Sequence, residues 1–240
     1  MDYEKKIIEI TDEINKLRPF DKEQLKSLKN WFTVSFTHHT NSIEWNTLTL
    51  SETKVLLEDG ITIWWKTIRE LQETKNVWEL SKQIWDMSVN HIDKQFICEL
   101  HKKIVSWTLK EEYAWKFRET QVFISWEETD VLPSYKEVDK FMDDYIRFVN
   151  DCSLSLKDIA KIHYDLVKIH PFVDVNGRLA RFLMNLYMIK AWYLPIVISS
   201  TVRLDYINSL RSDKTFEDFY KFFLWQTYEN MKDYKRFFNS

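Results

Sequence analysis

Glycine is nearly missing from this sequence. Two glycines, Gly60 and Gly177, occur in 240 residues, whereas average usage of about 7% would supply about 17. Proline is also scarce, with four residues. No stretch therefore has the composition of a linker between domains, and neither an internal repeat nor a low-complexity tract is present. The chain, 45% hydrophobic, is long enough for one substantial core, with or without an added subdomain.

Several other features are missing, and each absence excludes a class of protein. Two cysteines, Cys98 and Cys152, cannot form a disulfide framework, so a reducing compartment is expected. No apolar run reaches the roughly 18 residues of a membrane span, and the charged N-terminus lacks the apolar segment of a signal peptide. A net charge of −3 creates no basic field for nucleic acid or anionic membrane. We therefore expect a cytoplasmic protein with neither nucleic acid nor membrane as a partner.

Tryptophan, in contrast, is over-represented, with eleven residues. Several of these tryptophans stand where turn chemistry favours glycine. The left-handed backbone region at the end of a helix costs glycine little, but it costs a bulky residue about 1–2 kcal/mol. Reduced stability or locally shifted loops are expected at these positions, which are Trp64, Trp65, Trp107, Trp115 and Trp192.

The spacing of apolar residues indicates a mainly helical fold. Apolar side chains recur at helical intervals, for example over residues 159–169 and 179–189. The period changes in residues 117–132, where β-branched and aromatic residues precede a polar turn, and this change predicts a β-hairpin. His101 and His163 lie on apolar helical faces and are interpreted as core residues. We expect a helical region over residues 1–90 and a core over residues 91–240, together forming one compact unit.

One stretch concentrates the reactive side chains: His170-Pro171-Phe172-Val173-Asp174-Val175-Asn176-Gly177-Arg178-Leu179-Ala180-Arg181. The proline ends the preceding helix, and helical spacing resumes after the glycine, so the polar cluster lies in a loop that opens a helix. A helix start carries unpaired backbone N–H groups and a partial positive charge, which make it an anion site. Because two arginines lie in the first turn, the expected anion is a polyphosphate.

This stretch resembles the signature of the Fic family, HPFx(D/E)GN(G/K)RxxR, with Val175 at a position where the family has glycine. The resemblance covers residues 37–210 and implies a mainly α, Fic-type helical bundle with one small β-hairpin flap. It further implies an enzyme that transfers AMP from its co-substrate ATP to a Ser, Thr or Tyr hydroxyl of a target protein or of itself. Similar sequences also have glycine at the position of Trp45.

The signature provides most of the predicted active site. His170 is the expected general base for the attacking hydroxyl, and Asp174 is the expected ligand of one Mg²⁺ ion and part of the nucleotide site. Amides and guanidiniums are expected to form an anion nest and to neutralise the β- and γ-phosphates. The nucleotide-binding residues that supply this nest are Val175, Asn176, Gly177, Arg178 and Arg181.

Further nucleotide contacts are implied outside the signature. An aromatic residue at Tyr206 contacts the adenine in the family, although a core tyrosine is an equal alternative. The flap, residues 117–132, is expected to dock the target protein by strand addition; the alternative is an ordinary scaffold hairpin. Trp126 replaces a small residue there and is expected to narrow the pocket. The flap residues expected nearest the nucleotide are Ile124, Ser125, Trp126 and Glu127.

Thr40 and Glu44 resemble the family's inhibitory motif, (S/T)xxxE(G/N). The family pattern pairs this glutamate with the second signature arginine, here Arg181, and so blocks a productive γ-phosphate pose. Such a charge-assisted pair competes directly with phosphate. The alternative is a capping hydroxyl followed by a solvated glutamate four residues later, a common helical arrangement.

Val175 leaves three functions open. A β-branched residue is strongly disfavoured if the loop needs a positive φ, and its side chain would fill space beside the phosphates. The first function is an autoinhibited AMP transferase, weakened by Val175. The second is a nucleotide-binding or peptide-binding pseudoenzyme, and the third is transfer of another nucleotide or phosphate group. A homo-oligomer is compatible with each of them.

Overall fold

A computed structural model describes residues 2–108, 113–123 and 132–239 of the chain. None of the helices within these ranges combines the length and apolar character that crossing a membrane requires. The helices are α1 (Tyr3–Asn15), α2 (Lys22–Ile43), α3 (Leu50–Lys54), a π-helical turn (Val55–Asp59), α4 (Ile68–Gln83), α5 (Lys94–Val105), a 3₁₀ turn (Tyr135–Glu137), α6 (Val138–Asp151), α7 (Leu156–Ile169), α8 (Asn176–Lys190), a 3₁₀ turn (Ser200–Val202), α9 (Arg203–Ser209) and α10 (Phe216–Asn239).

Local sequence signals determine many of the helix ends. The Asp21 carboxylate accepts hydrogen bonds from two backbone N–H groups at the start of α2. Thr67 and Ser155 form capping boxes at the starts of α4 and α7, each satisfying a backbone donor that the helix leaves unpaired. Gly60 ends the π-helical turn in the left-handed region, where a residue without a Cβ atom is least strained.

The helices surround α8, which is buried along almost its whole length. Helix α7 packs against α8, α2 lies against α4, and α1 packs on α10 near the two ends of the chain. A large apolar cluster extends from Ile7 in α1 to Tyr234 in α10. A smaller cluster consists of Leu48, Leu56 and Leu57. Burial of the large cluster fixes the position of the loop before α8.

The structure confirms the mainly helical fold but does not confirm the predicted hairpin. Within the described ranges no residue belongs to a β-strand, and residues 124–131 of the predicted flap lie outside them. In the described part, residues 117–123, the backbone bonds to other loops instead of to a paired strand. Arg118 donates from its backbone N to the Pro171 carbonyl at 2.8 Å, and from Nη2 to the Pro133 carbonyl at 2.6 Å.

Some of the tryptophans do occupy glycine-like backbone positions. Trp107 and Trp192 have φ values of 63° and 65°, and Trp45 has a φ of 70°. These three side chains are also largely exposed, so packing offsets little of the strain. Trp64, Trp65 and Trp115 are exposed as well, but they do not have positive φ values.

Candidate active site

The signature loop connects α7 to α8 and is closed by Asn176. Helix α7 ends at His170, whose φ of 52° and ψ of 59° turn the chain away from the helix axis. The Asn176 side chain accepts from the Phe172 backbone N and donates to the Phe172 carbonyl, both at 2.9 Å. Because no side chain caps the start of α8, its first backbone N–H groups remain available to an anion.

His101 of α5 packs against this loop. Its ring stacks on Phe172 with a centroid distance of 3.8 Å. Nδ1 lies 3.0 Å from the Ala114 carbonyl and Nε2 lies 3.3 Å from the Asp174 carbonyl. Burial lowers the pKa of His101 to about 4, and a neutral ring can donate its single N–H to only one of these two carbonyls. The predicted core histidine thus packs against the signature loop through Phe172.

His170 faces a cavity of about 460 Å³ at the start of α8. Burial lowers its pKa to about 4. Its Nδ1 lies 3.3 Å from the Val167 carbonyl, so the proton of the neutral ring belongs on Nδ1 and Nε2 is the basic nitrogen. A neutral ring with an unprotonated Nε2 is the form in which a histidine acts as a general base, the role expected for His170.

Arg181, which is buried, forms an ion pair with Glu44, which is partly buried. Glu44 Oε1 accepts from Arg181 Nη2 at 2.7 Å, and Arg181 is only 2% exposed. Thr40 accepts two further bonds from the same guanidinium, at Oγ1 (2.7 Å) and at its carbonyl (3.0 Å). A Cβ atom on Gly177 would lie 2.5 Å from Glu44 Oε1. The Glu44 carboxylate therefore lies directly against the first turn of α8.

Arg178, the other signature arginine, is also buried and lines the cavity. Its Nη1 lies 3.3 Å from Glu73 Oε2 of α4 and 3.4 Å from Asn41 Oδ1. Its Nε, by contrast, has no partner within the described part of the chain. A buried donor without an acceptor is costly, and this atom is enclosed by protein and does not face the cavity.

Asp174 presents a half-exposed carboxylate to the same cavity. Its Oδ1 accepts from the Val175 backbone N at 2.7 Å, and its Oδ2 accepts from Arg69 Nη2 at 3.3 Å. The described residues contain no group of three or more His, Cys, Asp or Glu side chains that could hold a metal. A single accessible carboxylate fits Mg²⁺, which commonly takes one or two protein ligands together with substrate phosphates.

Val175 lies in the left-handed region, with a φ of 59° and a ψ of 13°. The loop therefore requires this backbone region at the position where the family has glycine.

Tyr206 is 1% exposed, and its hydroxyl lies in the core, 3.1 Å from Arg181 Nη1. The predicted flap contacts Ile124, Ser125, Trp126 and Glu127 lie outside the described residues, whereas the neighbouring Phe123 is exposed and lines the cavity.

Sequence reasoning missed three supporting residues. Arg118 Nε donates to the His170 carbonyl at 2.8 Å and fixes the end of α7. Arg69 and Glu73 of α4 pair with each other at 2.9 Å and contact Asp174 and Arg178. The only sequence signal for the α4 residues is an i, i+4 ion pair, which on a helix usually indicates a solvated surface. Arg118 has no local signal.

These features define a helical protein in which an uncapped helix start and a histidine line one cavity. Residues 91–188 match the sequence model of the Fic/DOC family. The protein adenylyltransferase fic-1 of Caenorhabditis briggsae is 35% identical over 188 residues, covering 73% of this chain and 35% of that protein. The protein adenylyltransferase Fic of Nematostella vectensis is 33% identical over 184 residues, covering 72% of this chain and 41% of that protein. The chain thus spans less than half the length of these relatives.

Solved structures agree with the sequence comparison. A segment of Fic-1 from C. elegans superposes with a TM-score of 0.86 at 26% identity, covering 97% of this chain and 70% of that chain. A Fic-domain signaling protein from Bacteroides thetaiotaomicron gives a TM-score of 0.85 at 24% identity, covering 97% and 96%; this second likeness concerns the fold alone. The chain belongs to the Fic/DOC family.

Proposed function

We propose that this protein transfers AMP from ATP to a Ser, Thr or Tyr hydroxyl of a target protein, or of itself. The observation that carries the proposal is the arrangement at the start of α8. The uncapped start of α8 and the Arg178 side chain line the same cavity as the imidazole of His170. A triphosphate satisfies the donors, and the imidazole faces the position where a hydroxyl approaches. The names of the relatives support the choice of AMP as the transferred group.

In the proposed reaction His170 Nε2 takes the proton of the target hydroxyl. The hydroxyl oxygen forms a bond to the α-phosphorus of ATP, and the bond from that phosphorus to the bridging oxygen of the β-phosphate breaks. Pyrophosphate leaves with the bonding electron pair, and AMP stays on the target. Arg178 and Arg181 neutralise the charge that develops on the leaving group. Mg²⁺ held by Asp174 would supply additional charge neutralisation at the phosphates.

We further propose that Glu44 inhibits this reaction in the structure described above. Its carboxylate contacts Arg181 and lies against Gly177, which is the position that a phosphate needs at a helix start. A carboxylate and a phosphate cannot occupy one buried arginine together without strong repulsion. Activity then requires Glu44 to leave, either by a conformational change or by substitution.

The proposed target binds beside the cavity along residues 117–132. The exposed Phe123 side chain, which also lines the cavity, supports this location, because a target hydroxyl must reach His170 from there. A homo-oligomer and a cytoplasmic location remain part of the proposal, the latter because Cys98 and Cys152 are both free thiols.

One observation favours a second candidate, a nucleotide-binding pseudoenzyme: Val175 places a buried, β-branched side chain at the left-handed start of α8.

The two candidates are separated by one labelling experiment. The protein, its Glu44→Gly variant, and Glu44→Gly combined with His170→Ala are incubated with Mg²⁺ and ATP labelled in the α-phosphate or in the adenine. The proposal predicts label on the protein or on added target proteins, more in Glu44→Gly than in the parent and none after His170→Ala. Tight ATP binding by Glu44→Gly without any transfer would identify the pseudoenzyme instead.

A further inference from the structure

Arg181 is held by more than its ion pair with Glu44. Its guanidinium donates four hydrogen bonds, of which Glu44 accepts one at 2.7 Å. Thr40 accepts two, and the Tyr206 hydroxyl oxygen accepts the fourth, from Nη1, at 3.1 Å. When Glu44 leaves, three of these bonds therefore remain. The guanidinium does not depend on the inhibitory residue for its orientation.

The Tyr206 hydroxyl is part of a buried chain of hydrogen bonds that ends at His163. An arginine only donates, so the Tyr206 oxygen is the acceptor and its own proton is free for another partner. That partner is His163 Nε2, at 3.0 Å. Exposure falls from 2% at Arg181 to 1% at Tyr206 and 0% at His163, so water is excluded from the chain at each step.

His163 must be neutral to accept this proton. Burial, together with the nearby positive charge of Arg181, lowers the pKa of His163 well below its ordinary value. The neutral ring then carries its proton on Nδ1, an atom that has no partner within the described part of the chain. The ring is fixed by stacking on Phe219 at a centroid distance of 4.8 Å. The unpaired Nδ1–H costs free energy of folding, but this tautomer keeps Nε2 available to accept the Tyr206 proton.

We propose that Tyr206 and His163 are positioning residues that orient Arg181 toward the γ-phosphate and thereby determine the preference for ATP over ADP. His163 fixes the direction of the Tyr206 proton, and this leaves a lone pair of the Tyr206 oxygen directed at Arg181 Nη1. Without the acceptor on His163, the proton can turn toward the guanidinium and repel it. This inference rests on the proposed contact between Arg181 and the γ-phosphate.

The test measures the binding of ATP and of ADP, each with Mg²⁺, to the Glu44→Gly protein by calorimetry. Tyr206→Phe and His163→Phe are introduced into this background, and both are expected to weaken ATP binding roughly tenfold while ADP binding changes less than about twofold. His163→Gln, whose amide oxygen can accept from Tyr206, is expected to restore the ATP preference. The matched control is Tyr145→Phe, because Tyr145 is another buried tyrosine, whose hydroxyl donates to the Ile162 carbonyl at 3.2 Å.

The outcomes separate this inference from the function on which it rests. If the Glu44→Gly protein transfers label but binds ATP no more tightly than ADP, the γ-phosphate contact of Arg181 and the positioning role are wrong, while the proposed transferase function stands; if it transfers no label, the proposed function fails. If it prefers ATP but Tyr206→Phe keeps that preference, or weakens the binding of both nucleotides equally, only the positioning role is overturned. Should Tyr206→Phe fail to fold, the comparison of His163→Phe with His163→Gln decides, since both keep the Tyr206 side chain.

Discussion

Replacing the most exposed strained tryptophan with glycine is expected to stabilise this protein. Trp107 and Trp192 have left-handed φ values of 63° and 65°, and their side chains are 91% and 68% exposed. Relief of left-handed strain is worth about 1–2 kcal/mol, and the greater freedom of glycine in the unfolded chain costs roughly 0.5–1 kcal/mol. Trp107 buries little apolar surface, so Trp107→Gly should raise the free energy of unfolding by up to about 1 kcal/mol. Trp192 also gives up buried surface worth roughly 1.5–2 kcal/mol, so Trp192→Gly should lower the free energy of unfolding by about 1 kcal/mol.

Trp64 is the matched control for Trp107. It is also exposed, at 86%, but it does not have a positive φ. Trp64→Gly therefore gains no strain relief and should lose roughly 1–1.5 kcal/mol. Urea unfolding at 25 °C, followed by far-ultraviolet circular dichroism so that the number of tryptophans does not affect the signal, measures all three variants. Destabilisation by Trp107→Gly to the same extent as by Trp64→Gly would refute the strain argument.

The same backbone geometry predicts which residue the natural protein contains. Positions 45, 107 and 192 all have left-handed φ values and exposed side chains, and the chain has only two glycines. We expect peptide mass spectrometry of the protein isolated from its natural source to find glycine at these three positions. This result would follow if the natural host translates the codons at these positions as glycine. Tryptophan in the natural peptides would contradict this expectation.

Three further predictions concern pH and the signature loop. The folded-state pKa values of His39, His101 and His170 lie near 4, below their unfolded values, so the stability they contribute is present above about pH 6.5 and is lost as pH falls toward 4. Each can contribute a slope of up to about 1.4 kcal/mol per pH unit, which denaturant titrations at pH 7 and pH 5 would reveal. For the same reason, kcat/KM of Glu44→Gly should stay level from pH 8 to pH 6 and should fall at lower pH, with a midpoint nearer 4 than 6.5. A midpoint near 6.5 would exclude His170 in its observed environment as the general base. Val175→Gly, made in the Glu44→Gly background, should raise the rate of AMP transfer. Stability should change little, because about 1–2 kcal/mol of strain relief is offset by a similar loss of buried surface. An unchanged rate of transfer would show that the Val175 side chain does not obstruct the phosphates.

Local patterns were sufficient to predict the helices and the loop between α7 and α8. Helical periodicity is a property of short segments, and a single residue such as Asp21 is enough to cap the start of α2. The positive φ of Val175 follows from the family's glycine at the same position. The contact between Glu44 and Arg181 spans 137 residues and was expected only because the resemblance pairs these two positions.

The remaining features depend on packing between distant segments, which periodicity does not specify. Arg118 was interpreted as part of a hairpin, yet it bonds to the end of α7, 52 residues away. Tyr206 shows the same limit, because a helical position does not determine whether its hydroxyl faces a ligand or a buried arginine. In the structure that hydroxyl contacts Arg181 and His163, an arrangement that requires α7, α8 and α9 to be assembled.

We propose that Glu44 occupies the place of a phosphate at the start of α8. A crystal structure of the Glu44→Gly protein with Mg²⁺ and a non-hydrolysable ATP analogue tests this proposal. A γ-phosphate oxygen is expected within hydrogen-bond distance of Arg181, a phosphate oxygen beside the Arg178 guanidinium, and the α-phosphorus facing His170 Nε2. A nucleotide bound elsewhere, or a triphosphate that leaves both arginines without a phosphate contact, would contradict it.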